Sequence, residues 1–255
     1  MAARAVRITS LTGLPEIAAD DDLAAVIAHH ADGVLQPGAV VCVAQKLVSK
    51  AQGRVRQLAQ VAPSARAQEL AASGAGRGNP RLVQVILDES AEVLRAERGI
   101  LICRTHHGLV CANAGVDQSN AARPGDVVLL PEDPDGAARA LKAELERLTG
   151  AQPLGVLISD SFGRAWRLGQ VDVAIGLAGI DPLDAHEGRV DRAGRPLVAT
   201  MPAVADELAA AAGLARTKAG GDGVVIVDGS GAHVSAADGP GAAALLRALD
   251  EDLFR

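Results

Sequence analysis

The chain predicts an α+β (mixed α/β) fold, and three observations carry that expectation. Short apolar runs alternate with helical patterns, but without the strict strand–helix–strand rhythm of a doubly wound sheet. Three strand-like stretches between residues 93 and 113 follow one another closely enough to pair as antiparallel neighbours. The 255 residues, 49% of them hydrophobic, suffice for a core that removes about 70–75% of the unfolded surface from water. No internal repeat and no long linker divides the sequence, so residues 1–255 are expected to form one unit.

Taken in order, residues 5–9 read as a strand. Residues 21–31 read as a helix, because Leu23, Val26 and Ile27 share a face. The continuous apolar run VVCVA at 40–44 marks a buried strand. Ser64 caps a helix reaching Ala72, and Pro80 opens another that reaches Leu87. Between them, SGAGRGN is a glycine-rich connector. Strands follow at 93–96, 99–104, 109–113 and 126–130. Residues 135–149 form a helix closed by Gly150, a residue free to take positive φ. Strands at 154–159 and 171–176, an alanine-rich helix at 203–214 and a strand at 224–227 complete the order.

Composition excludes several function classes. Twenty-five basic against 31 acidic residues leave a net charge of −6, spread along the chain with no Lys/Arg block. Bulk nucleic-acid binding and docking on an anionic membrane are therefore not expected. Trp166, Phe162 and Phe254 are the only aromatic residues, too few for a reader of single-stranded nucleic acid built on stacking. Cys42, Cys103 and Cys111 sit in apolar contexts without a C-x-x-C pair and read as buried free thiols on strands. The N-terminus has no apolar signal-peptide core and no apolar run spans a bilayer, so a cytoplasmic location is expected.

Three stretches crowd polar groups at the ends of apolar strands. In ANAGVDQSN, small residues surround Asp117 and Asn120; an Asx turn and a ligand site are both open readings. In ISDSFGRAWRLGQ, an apolar strand delivers Asp160, Ser161, Arg164 and Arg167. Carboxylate and hydroxyl oxygens suit Mg²⁺ or Mn²⁺, and guanidinium forks suit phosphate. A surface salt-bridge cluster is the competing reading. In QKLVSKAQGR, Gln45, Lys46, Lys50 and Arg54 gather where the backbone leaves a sheet, either as solvated charge or as a phosphate site. Neither a P-loop nor a glycine-rich dinucleotide fingerprint is present.

Together these stretches resemble the coenzyme F420-0:L-glutamate ligase family, the F420 gamma-glutamyl ligases. TGLPEI, KLVSKAQGR, CANAGVDQSN, LLPEDPDGAA, ISDSFGRAWRLGQVDVAIGLAGI and AVADELAAAAGL carry the likeness over nearly the whole chain. The length resembles the stand-alone archaeal enzyme, with no C-terminal nitroreductase-like domain. The resemblance implies an intertwined homodimer with GTP, Mg²⁺ or Mn²⁺ and a monovalent cation (K⁺) as cofactors. F420-0, L-glutamate and GTP are the implied small-molecule partners, with neither nucleic acid nor membrane.

Carried over by position, Asp117 and Asp160 fall on metal-ligand aspartates, and Ser161 falls on a hydroxyl ligand that is usually threonine. Thr12, Gly13, Leu14 and Pro15, the pair Gln45 and Lys46, Lys50 and Asn120 fall on nucleotide-binding positions. So does the late loop of Arg216, Thr217, Lys218, Ala219, Gly220, Gly221, Asp222, Gly223 and Val224. Arg167 and Lys50 are the expected catalytic cations, offsetting charge during phosphoryl transfer. His106 and His107 are expected to be structural, and His186 is a candidate for substrate contact.

Two departures stand out. Lys218 occupies a position that is acidic and metal-ligating in archaeal members. Aromatic residues expected near Gly188 and Gly194 are replaced by Ala185-His186-Glu187 and Arg192-Ala193. Two rival readings follow: a ligase of the same scaffold acting on another acid, and a nucleotide-binding paralogue without ligase activity.

Overall fold

The computed structural model describes residues 5–119, 121, 123–217 and 221–252. Asn120, Lys218, Ala219, Gly220 and Phe254 lie outside the described residues. The chain opens with β1 (Arg7–Leu11), α1 (Leu23–His30), β2 (Val40–Ala44), α2 (Gln45–Ala51) and β3 (Val55–Gln57). Then come α3 (Ala65–Ala72), α4 (Pro80–Asp88), β4 (Ser90–Glu97), β5 (Ile100–Thr105), β6 (Val110–Ala112) and β7 (Asp126–Val128). It continues through α5 (Pro134–Thr149), β8 (Gly155–Arg164), β9 (Arg167–Ala178), α6 (Val204–Ala215) and β10 (Val224–Asp228).

These strands build a five-stranded sheet of order β1-β10-β2-β8-β9, a three-stranded sheet β4-β5-β6 and a pair β3-β7. In the large sheet β2 and β8 run parallel and every other pairing is antiparallel. Strand alternation gives this sheet two apolar faces. Val41, Val43, Val156, Ile158 and Ile226 meet Ile27 of α1 and Leu145 of α5 on one. Val40, Cys42, Leu157, Val225 and Val227 meet Leu208 and Ala212 of α6 on the other. A separate core joins α3 and α4 to β5 and β7 through Leu70, Val83, Ile86, Leu101 and Val127. Among the described residues, no helix is long and apolar enough to cross a membrane.

The expected α+β class agrees with this mixture of sheets and helices. Ser64 accepts a hydrogen bond from the Ala67 N–H, Pro80 stands in the first turn of α4, and Gly150 closes α5 at φ 72°. All three cysteines are free and buried, and burial pushes the Cys42 and Cys111 thiols up to about 12. Three expectations need correction. β1 lies two residues later than the sequence predicts, because its register is set by pairing Arg7–Leu11 with β10. Gln45–Ala51 is a helix, which the sequence hid because Ala44 offers no side-chain cap. The strands predicted at 154–159 and 171–176 continue into a long hairpin, with Arg164 paired to Arg167. Its outer part is polar and exposed, so backbone pairing holds it together without a hydrophobic alternation to announce it.

Candidate functional site

Strand direction gathers the singled-out stretches at one end of the large sheet. Leu11 pairs with Val224, Val224 with Val43, and Ala44 with Ser159. The carboxyl ends of β1 and β2, the start of β10 and the Ser159 level of β8 therefore lie together, past the end of the parallel β2–β8 pairing, the usual place for ligands over sheets with parallel strands. Thr12–Pro15 leaves β1 there, α2 leaves β2, and Gly221–Gly223 enters β10. The Ala44 N–H donates to the Gly223 carbonyl at 2.8 Å. A Cβ at Gly223 would come within 2.5 Å of Leu47 Cδ1, so a larger residue here would have to displace the Leu47 side chain of α2. Thr217 Oγ1 donates to Asp222 Oδ2 at 2.6 Å, tying two positions of the late loop together.

Asp117 approaches from the second core. Its backbone bridges Val128 of β7, and its carboxylate reaches Lys46 Nζ on α2 at 2.6 Å. Lys46 also donates to Ser119 Oγ at 2.7 Å, and the Ser119 N–H donates to Asp117 Oδ1 at 2.7 Å. Burial pushes the Asp117 carboxyl up, but hydrogen bonds from Lys46 and Ser119 and the lysine charge outweigh it. The net effect holds the group below the usual carboxylate range. Asp160 goes the other way. Burial pushes it up to about 6, against the Ser161 N–H and the Lys46 charge, and the charges of Asp117 and Asp172 add to the rise.

Asp160 and Ser161 are successive residues on β8 and project to opposite faces. Asp160 shares its face with Phe162 and Val173, packed toward α1 and α5. Ser161 faces α6, where its hydroxyl donates to Asp172 Oδ1 at 2.5 Å. β2 ends opposite Ser159, so the two side chains flank a strand edge that β2 no longer covers. Hard oxygen donors suit Mg²⁺ or Mn²⁺. Among the described residues, no group of three or more His, Cys, Asp or Glu could hold a metal ion. The donors fit a cation held by one or two carboxylates and completed by phosphate oxygens and water, the common Mg²⁺ arrangement.

The remaining positions divide. Gln45 is 1% exposed; its Oε1 accepts from Ser49, and its Nε2 has no partner. A buried donor left unmatched suits a ligand acceptor. Lys50 is buried and salt-bridged to Glu16, just past the Thr12–Pro15 loop. Val224 is buried in the core. Arg216 is turned inward onto Asp172 at 2.6 Å. Arg167 stands exposed at the hairpin tip, opposite Arg164, about 13 Å along β8 from the level of Asp160. His106 and His107 each bind a backbone carbonyl, of Asp88 at 3.0 Å and Pro131 at 2.9 Å. His186 pairs with Asp184 at 2.8 Å in the loop that follows β9. Sequence reasoning missed Glu16, Ser119 and Asp172. Glu16 and Asp172 carry no local pattern, because their cationic partners are 34 and 44 residues away. Ser119 bonds Asp117 two residues back, an Asx turn legible in sequence, but its contact with Lys46 spans 73 residues.

The family profile described as F420-0:gamma-glutamyl ligase matches residues 13–229. A protein of Methanothermobacter thermautotrophicus named coenzyme F420:L-glutamate ligase is 39% identical over 254 residues, 98% of this chain and 99% of its own length. Its namesake in Methanocaldococcus jannaschii is 41% identical over 221 residues, 87% of this chain and 86% of that one. That of Haloarcula marismortui is 43% identical over 214 residues, 82% and 81% respectively.

Proposed function

The chain belongs to the F420-0:gamma-glutamyl ligase family, and from that premise we propose that it is a GTP-dependent coenzyme F420-0:L-glutamate ligase. The observation that carries this reading is the approach of Asp117, Asp160 and Lys46 to one another, with Lys50 one turn further along α2, at the sheet end reached by Thr12–Pro15 and Gly221–Gly223. The reaction transfers the γ-phosphoryl group of GTP to the terminal carboxylate of F420-0, releasing GDP and forming an acyl phosphate. The glutamate amine then attacks the acyl carbon, inorganic phosphate leaves, and the nitrogen gives up a proton.

Such chemistry asks for positioning and charge neutralisation more than for a covalent nucleophile. Asp117 and Asp160 would hold Mg²⁺ or Mn²⁺ from one side of the β8 edge, with the Ser161 hydroxyl on the other. When bound, the ion neutralises phosphate charge. Lys46 is ready to exchange Asp117 for a phosphate oxygen, and Lys50 to exchange Glu16. Gln45 Nε2 offers a further donor. Thr12–Pro15, Arg216, Thr217 and Gly221–Gly223 would contact the nucleotide, and a K⁺ ion belongs to the same reading. A cytoplasmic homodimer belongs to the same reading, burying the hairpin tip, where Leu168 is 97% exposed, and bringing Arg167 to a partner's site.

The test is incubation with GTP, Mn²⁺, L-glutamate and F420-0, followed by mass spectrometry. Glutamylated product with an equal amount of GDP is expected. GDP released only with a different acid would make the chain a ligase of another substrate. Nucleotide binding without turnover would make it a paralogue outside catalysis.

A further inference from the structure

Asp172 has no part in the reaction just described, yet it stands at the centre of an enclosed polar cluster. Its side chain is 14% exposed and that of Arg216 11%. Arg216 Nη1 donates to Asp172 Oδ2 and to Ser159 Oγ, each at 2.6 Å, and Nη2 donates to the Cys42 carbonyl at 3.0 Å. Asp172 Oδ1 accepts the Ser161 hydroxyl at 2.5 Å. Helix α6 closes over the carboxylate at Gly213, where a Cβ would stand 3.3 Å from Asp172 Cγ. One guanidinium thus ties β2, β8 and β9 together at the point where α6 gives way to the late loop.

A hydroxyl has one proton and two lone pairs. A carboxylate bridged to arginine accepts only, so the Ser161 proton points at Asp172 and both Oγ lone pairs point elsewhere. An oxygen fixed in that way is prepared to bind a cation. Outer groups that orient a ligand in this manner are a general feature of metal sites.

We propose that Asp172, clamped by Arg216, is a positioning residue that fixes Ser161 Oγ as a lone-pair donor toward the divalent cation. This rests on the reading of Ser161 as a cation ligand. Arg216 then anchors the end of α6 to the sheet, with Nη1 and Nη2 committed to Asp172, Ser159 and the Cys42 carbonyl rather than to nucleotide, while its buried Nε has no partner.

The experiment is Mn²⁺ titration of the full chain, following free Mn²⁺ by electron paramagnetic resonance, with melting temperature recorded for each variant. Ser161→Ala and Asp172→Asn should each weaken Mn²⁺ binding about tenfold. The double variant should bind no more weakly than either single one, because both act through the same oxygen. The KM for GTP at saturating Mn²⁺ should stay within about twofold of wild type for Asp172→Asn. A merely structural role would lower the melting temperature and leave the Mn²⁺ affinity of the folded protein unchanged. If Ser161→Ala binds Mn²⁺ like wild type, the ligand reading of Ser161 fails first. If Ser161→Ala weakens binding and Asp172→Asn does not, or if the two losses add, the positioning role is overturned while that reading stands. Should Asp172→Asn not fold, Asp172→Glu keeps the charge beside Arg216 but displaces the carboxylate. Wild-type Mn²⁺ affinity in that variant would equally overturn the proposal.

Discussion

The Lys46–Asp117 and Arg216–Asp172 pairs have the same N···O separation of 2.6 Å, one beside Asp160 and the other beside Ser161. Their surroundings differ. The lysine pair is partly open, with side chains 21% and 41% exposed, while the arginine pair is 11% and 14% exposed. Lysine presents a hydrated point charge on a flexible stem and can leave Asp117 for another anion. The two terminal nitrogens of the arginine reach three acceptors at once, so its geometry is fixed. Distance alone therefore does not separate an exchangeable contact from a permanent one; burial and the number of satisfied donors do.

The largest expected effect comes from the closed pair. Arg216→Ala leaves Asp172 buried without its partner and should cost about 3–5 kcal/mol of stability, read from urea unfolding midpoints. A loss below about 1 kcal/mol would make this pair no different from a surface one. Next comes Asp160→Ala at the open pair. It should lower kcat by at least about 10²–10³-fold while leaving the fold intact, because it removes charge stabilisation rather than packing. Unchanged kcat at saturating Mn²⁺ would remove Asp160 from the site.

Asp160 also sets a pH dependence. Its folded value of about 6 lies above the unfolded range, so the ionised form is disfavoured in the fold. Its contribution is fully present below about pH 4 and is lost as pH rises through about 6, a change on the order of 3 kcal/mol. Asp160→Asn, which cannot ionise, should therefore be more heat-stable than wild type at pH 7.5 and lack that slope between pH 4 and 6, to within about half a unit. Saturating Mn²⁺ should narrow the gap by favouring the wild-type carboxylate. Equal melting temperatures across this range would place Asp160 in water instead.

The smallest effect is expected at Lys46. Lys46→Met should change stability by only about 1 kcal/mol, since the pair is partly open to water. It should also tighten Mn²⁺ binding in the absence of nucleotide, because Asp117 is released. Weaker Mn²⁺ binding in that variant would show that the lysine assists the cation rather than standing in its way.

Local chemistry was legible wherever a short pattern dictates local structure. The N-cap at Ser64, the proline start of α4, the glycine stop at Gly150 and the apolar run of β2 were all readable. So was the crowding of polar groups at Asp117, Asp160 and Lys46. The outer β8–β9 hairpin was not, because exposed strands held by backbone pairing leave no alternation to read.

By itself the sequence determined the mixed α/β class, the family and the residues that carry oxygen and ammonium groups, since these depend on residue type and near-neighbour spacing. The tertiary structure alone decided how they combine. Strand direction brought the ends of β1 and β2, the start of β10 and the middle of β8 to a common level, and alternation along β8 sent Asp160 and Ser161 to opposite faces. Pairing of Ser161 with Asp172, and the turn of Arg216 inward from the end of α6, joined residues 57 and 44 positions apart in the chain to one guanidinium. Sheet register and helix packing are long-range agreements between segments, and no single stretch of chain contains both halves of them.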